Sequence, residues 1–152
     1  MKLGAVLRKE RERKKLTVEE VVSRLGPDYN DFETGTSAIE EWGPRLGQIA
    51  INLSTPTSRL ISETGKSAQA GRERGQCGRL IKQHREKRGL KREELAQRIG
   101  VPSERISWIE NGGSPLEAYG PFLLGFAEMI EQPIFNLLYP CGLPLDQIDD
   151  YP

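Results

Sequence analysis

An all-α fold of two tandem five-helix units is predicted by three features of this 152-residue sequence. Apolar residues recur at spacings of three and four rather than two, the signature of amphipathic helices. Glycine and proline interrupt these runs at short intervals. The chain also repeats itself, and a repeat governs how every other feature is read. At an offset of 74, residues 3–26 lie over 77–100 with eight identities. At an offset of 77, residues 33–61 lie over 110–138, keeping Glu, Gly, Ser, Gly-Pro, Leu, Ala, Pro and Leu in step. The change of offset is a three-residue deletion in the first copy, between Gly26 and Glu33.

The second copy carries the pattern most clearly. Leu80, Ile81 and His84 share one helical face, and Gly89 ends it. Leu90 opens a second segment whose Leu95, Ala96 and Ile99 point one way, closed by Gly100. Pro102 or Ser103 starts a third helix with Ile106 and Ile109 inward, and Asn111-Gly112 supplies its C-terminal stop. Pro121 is expected to open a fourth helix with Leu123, Phe126, Ala127 and Ile130 inward, and Pro133 a fifth with Ile134, Leu137 and Leu138. The first copy keeps the core positions Leu16, Val21, Leu25, Ile39, Trp42, Leu46, Ile49 and Leu53 but has lost residues from its third helix. The expected organisation is a first unit over 1–62, a polar Gly/Ser-containing linker over 63–76, a second unit over 77–140 and an acidic tail over 141–152. A fragment from residue 74 to 140 is expected to fold alone.

Composition excludes several function classes. Cys77 and Cys141 lack the partners of a metal or redox motif, and His84 is the only histidine, so neither a metal site nor a Cys-His catalytic pair is expected. No activated nucleophile or catalytic cluster is visible, and the chain reads as a non-enzyme without a cofactor. There is no run of eighteen apolar residues and no signal-peptide pattern, which predicts a cytoplasmic protein without a membrane partner. The formal net charge is zero but segregated. Residues 64–105 hold twelve Lys or Arg against five Glu, a balance of +7, whereas residues 106–152 hold seven acids and no Lys or Arg. Attraction for a polyanion must therefore come from a local face, unless the charged helix is simply solvated.

The run LKREELAQRIGVPSERISWIENG, residues 90–112, resembles the helix-turn-helix of the lambda-repressor-like (XRE) family of DNA-binding proteins, through its Leu-x-x-Glu-Glu-Leu-Ala, Gly-Val and Ile-Ser-x-Ile-Glu-Asn-Gly elements in order. The resemblance extends well over 77–138 and more loosely over 3–61. It implies a domain whose third helix, about 103–110, lies in the major groove of double-stranded DNA while the start of the second helix meets the phosphate backbone. Arg92 stands where the family usually has a glutamine at the head of the second helix, and it keeps a phosphate role, with Lys91 adding charge beside it. Ser103, Glu104 and Trp108 take the positions that meet base edges, flanked by Arg105 and Ser107. Trp108 could equally pack against protein, and Glu104 could simply favour a helix start. Asn111 resembles a backbone-contact residue or, alternatively, a left-handed helix cap. The pairs Arg11/Glu33 and Arg85/Glu110 match a structural salt bridge between the first helix and the end of the third.

The expected function is a sequence-specific regulator of transcription that binds DNA through its second unit. The shortened first unit, with Asp28 and Asp31 in place of a reading face, is expected to pack against the second unit, another chain or a separate partner. A homodimer or a protein partner held by the first unit stays open. An antitoxin or adaptor is the rival reading.

Overall fold

The fold is all-α: nine α-helices, three 3-10 turns and no strand occur among the described residues, 1–69 and 73–143 of a computed structural model. The first half contains α1 (Leu3–Arg13), α2 (Val18–Leu25), α3 (Tyr29–Thr34) and α4 (Ile39–Leu53), followed by a 3-10 turn over Thr57–Leu60. The second half contains α5 (Gln76–Lys87), α6 (Arg92–Ile99), α7 (Ser103–Glu110), α8 (Leu116–Met129) and α9 (Phe135–Leu138). The other two 3-10 turns are Ser67–Gln69 and Tyr139–Cys141. Of the expected acidic tail, residues 144–152 lie outside the described residues.

Local chemistry explains most helix boundaries. Leu3, Val6 and Leu7 recur at helical spacing and are buried along α1. Thr17 caps α2 reciprocally: its Oγ1 accepts from Glu20 N–H at 3.1 Å while Glu20 Oε1 accepts from Thr17 N–H at 3.0 Å. Glu94 repeats half of that arrangement at the head of α6, accepting from Lys91 N–H at 3.0 Å. The expected start of the fourth helix at Pro121 is corrected, because α8 begins at Leu116 and Pro121 lies inside it. Ser114 provides the earlier start, its hydroxyl accepting from Leu116 N–H at 3.2 Å. The helix tolerates Pro121 at the cost of one backbone bond. Pro44 sits at the same place within α4.

The two halves make matching contacts at the spacing the sequence alignment uses. Glu40 accepts from the N–H groups of Leu3 and Gly4 at 2.8 and 2.7 Å, and Glu117 accepts from those of Cys77 and Gly78 at 3.3 and 2.8 Å. A carboxylate from each fourth helix thus satisfies otherwise unpaired donors at the start of each first helix. Arg11 bonds Glu33 and the Leu16 carbonyl, as Arg85 bonds Glu110 and the Leu90 carbonyl.

The halves are joined through one hydrophobic cluster that draws residues from both. Helices α4 and α8 pack on each other at its centre, α4 also reaching α6 and α8 reaching α2. The junction is aromatic. Tyr29 of α3 stacks on Phe126 with ring centroids 5.8 Å apart, and Phe32 meets Phe122 edge-on at 4.7 Å. Tyr29 is fully buried, whereas its neighbours Asp28, Asn30 and Asp31 are exposed. Arg88 adds polar ties by donating to the Leu53 and Ser54 carbonyls at the end of α4, at 2.8 and 2.9 Å. The stretch expected as a linker is tied down where it is described. Gln76 donates to the Ile61 carbonyl at 2.8 Å, and the Ser67 N–H donates to Glu128 at 3.0 Å.

The two thiols differ in accessibility. Cys77 is buried, and burial, reinforced by Glu117, holds its thiol well above the usual range. Cys141 is half-buried, and burial, aided by Glu40 and opposed by the N-terminus, raises it to about 11. Since the thiolate is the reactive form, Ellman's reagent near neutral pH is expected to label Cys141 slowly and Cys77 only after denaturation. Prompt reaction of both thiols in the native chain would contradict the packing of α5 against α8.

Candidate nucleic-acid interface

The second half presents α6 and α7 as a packed pair joined by a tight turn. Gly100 ends α6 in the left-handed conformation at φ 73°, and Val101 N–H returns to the Ala96 carbonyl at 3.0 Å. Ile106 and Ile109 are fully buried beneath α7. The opposite face exposes Glu104, Trp108 and Asn111, with Ser103 and Ser107 half-buried at its edges.

The end of α7 is fixed by charge and by close backbone packing. The Glu110 carboxylate is inaccessible and receives Arg85 in a bidentate pair, Nε at 2.6 Å and Nη2 at 3.1 Å. It also accepts from Arg92 Nε at 2.9 Å. Two guanidinium groups thus share one carboxylate, with Glu93 and Glu94 also in the first turn of α6, and the side chain of Arg92 remains 39% exposed. Arg92 is therefore partly committed to the fold, with Nε bound to Glu110 and no hydrogen bond from its terminal nitrogens among the described residues. Lys91 beside it is exposed. Gly78 permits this assembly, since a Cβ there would stand 2.1 Å from the Ile109 carbonyl oxygen. Any side chain at residue 78 would push α5 off the end of α7.

One flank of α7 rests on the first half. Arg105 lies over the Trp42 ring at 5.3 Å and donates to Glu41 at 3.0 Å. Trp108 meets Trp42 edge-on, with ring centroids 5.5 Å apart. A Cβ on Gly113 would lie 2.6 Å from the indole nitrogen of Trp108, so a side chain at residue 113 would displace the ring. Trp108 is nonetheless 41% exposed, which leaves part of its ring accessible beside Glu104 and Ser107. Of the two roles open to Trp108 in the sequence, protein packing is thus present, and the partner is the first half. Arg105 is likewise held to protein. Asn111 is not the left-handed cap: its φ is −80°, and Gly112 at φ +80° takes that conformation, leaving the Asn111 side chain exposed.

The first half offers no comparable face. Its α3 spans six residues, with Tyr29 and Phe32 turned into the junction. Within the basic run 8–15, Arg8 pairs with Glu12, Arg13 with Glu10, Arg11 with Glu33 and Lys14 with Glu131. Of the six Lys or Arg in this run, only Lys9 and Lys15 lack an ion pair among the described residues.

Residues 76–120 match the sequence profile of a family described as a helix-turn-helix domain. This segment is a helix-turn-helix domain. It begins with α5 and ends inside α8, so the match takes in α6, α7 and the Arg85/Glu110 pair. No curated protein and no solved structure shows significant similarity to the chain. Among the described residues, no group of His, Cys, Asp and Glu could hold a metal ion, and no helix is long and apolar enough to cross a membrane.

The contribution of Glu41 and Trp42 to the site was not visible in the sequence, because it depends on how α4 meets α7 across the two halves. The matched glutamates 40 and 117, by contrast, carried a signal: a carboxylate repeated at the offset of 77 beside the repeated Gly-Pro.

Proposed function

We propose that the chain is a sequence-specific double-stranded DNA-binding regulator of transcription whose α7 reads base edges. The observation that carries this reading is the outward face of α7, where Glu104, Trp108 and Asn111 stand opposite the buried Ile106 and Ile109 inside the helix-turn-helix segment. Lys91 and the free end of Arg92 supply positive charge for the phosphate backbone. Glu104 is suited to accept from a cytosine amino group, and the exposed part of Trp108 to pack on a thymine methyl or a sugar. Ser103 and Ser107 extend the same edge, and Asn111 is placed for a backbone contact. Arg105 serves by bracing α7 against Glu41 and Trp42.

The first half is then a second copy of the domain that has given up reading and become a brace. The aromatic residues of α3 pack on α8, so an antitoxin or adaptor holding a partner through α3 would have to use the exposed Asp28, Asn30, Asp31 and Thr34 instead.

Selection from random duplex DNA, followed by footprinting, tests this reading. A discrete site is expected, and failure to enrich any sequence would overturn it. In gel-shift competition against a scrambled site, the Ser103→Ala/Glu104→Ala/Trp108→Ala variant should lose its preference while keeping weak nonspecific binding, each lost base contact costing about 1–3 kcal/mol. The Asp28→Ala/Asn30→Ala variant should retain it.

A further inference from the structure

A cleft of about 790 Å³ lies where the two halves meet, between the turn Thr57–Leu60 and the C-terminal part of α8. That volume falls in the range of small-molecule sites, roughly 300–1,000 Å³. Leu124, Ala127 and Ile134 contribute buried apolar surface to its lining, and Arg59 and Lys66 stand exposed at its edge.

The charges around the cleft are not equally available. Glu128 accepts from the Ser67 N–H at 3.0 Å and from the Ser67 hydroxyl. Glu131 pairs with Lys14 at 3.0 Å. Among the described residues neither Arg59 nor Lys66 has a side-chain hydrogen bond or ion pair. Glu131 is neutralised by Lys14, whereas Glu128 is held only by uncharged donors and keeps its charge, so two cations without ion pairs stand against one uncompensated carboxylate and the edge of the apolar cleft keeps a net positive charge. His84 registers part of this field: burial first, then Lys87, Arg59 and Arg88, hold it below its ordinary range.

We propose that this cleft binds a small amphipathic carboxylate, with its apolar chain on Leu124, Ala127 and Ile134 and its anionic head met by Arg59 and Lys66. A neutral apolar molecule would leave the excess positive charge unanswered, and a cationic one would add to it. Binding would bridge the first half to α8 and the α8–α9 turn, independently of the DNA-reading face. The inference therefore stands or falls apart from the proposed function.

The test is NMR titration of the full chain with octanoate, using octylammonium as the charge-reversed control of equal length. Octanoate is expected to shift the signals of Leu124, Ala127 and Ile134 saturably, and octylammonium at the same concentration is expected not to. The Arg59→Glu/Lys66→Glu variant changes two exposed side chains and should weaken octanoate binding by about tenfold or more. Lys66→Glu alone gives a second reading, expected in the same direction with a smaller loss, should the double variant fold poorly. Shifts that fail to saturate, an equal response to octylammonium, or undiminished affinity in the charge-reversed variants would overturn the proposal.

Discussion

Replacing Glu110 with alanine is expected to remove about 3–5 kcal/mol of folding stability, because it leaves the guanidinium of Arg85 buried without its counter-charge. The Glu110 side chain is inaccessible, and that of Arg85 is only 8% exposed. Arg85 also donates to the Leu90 carbonyl, so it cannot swing into solvent without breaking the turn between α5 and α6. Glu110→Gln keeps the volume and one acceptor but loses the charge, and should fall between wild type and alanine. The corresponding change in the first half, Glu33→Ala, should cost less, since Glu33 and Arg11 are 13% and 12% exposed. The midpoints of urea denaturation at constant slope give these differences directly. A loss below about 1 kcal/mol for Glu110→Ala would place the pair among solvent-screened surface bridges and remove it as the element that positions α7.

Much of the architecture behind that prediction was legible in the sequence. Helical periodicity located the second, third and fifth helices of the second half closely, because Gly100, Pro102 and Asn111-Gly112 mark chain reversals that few other residues accommodate. The start of the fourth helix was misplaced because proline's preference for a first turn outweighed the weaker hydroxyl start at Ser114. What one-dimensional patterning could not supply was the relation between the halves. Periodicity shows that Trp42 and Leu46 face inward, but not whose interior they share. Trp108 stood equally well for a base contact or a protein contact, and only the approach of α4 shows that part of its ring is covered. Charge counting has the same limit: the run 8–15 holds six Lys or Arg, but its three arginines are paired with nearby glutamates.

Tyr29→Ala is expected to destabilise the whole chain by about 3–5 kcal/mol, the range for removing a large buried aromatic side chain. Tyr29 is fully buried, its ring lies on Phe126 and Phe122 of the opposite half, and its hydroxyl donates to Glu33 at 2.8 Å. The loss should therefore appear in both halves at once. The chain carries only two tryptophans, Trp42 and Trp108, and they touch across the junction, so their fluorescence reports the contact between the halves. Unfolding followed by fluorescence and by circular dichroism should give coincident transitions in the wild type and in Tyr29→Ala, as one cooperative unit requires. Phe126→Ala should cost a similar amount, and the double variant less than the sum, because both substitutions remove the same stacking contact. The same junction bears on the fragment 74–140, which sequence periodicity alone would credit with independent folding. Cut from the first half, it would expose Phe122, Phe126 and the surface that α4 covers, and it is expected to be markedly less stable than the intact chain or to aggregate. Additive costs in the Tyr29/Phe126 cycle, together with a fragment as stable as the whole, would show two independent domains resting against each other instead of one core shared between them.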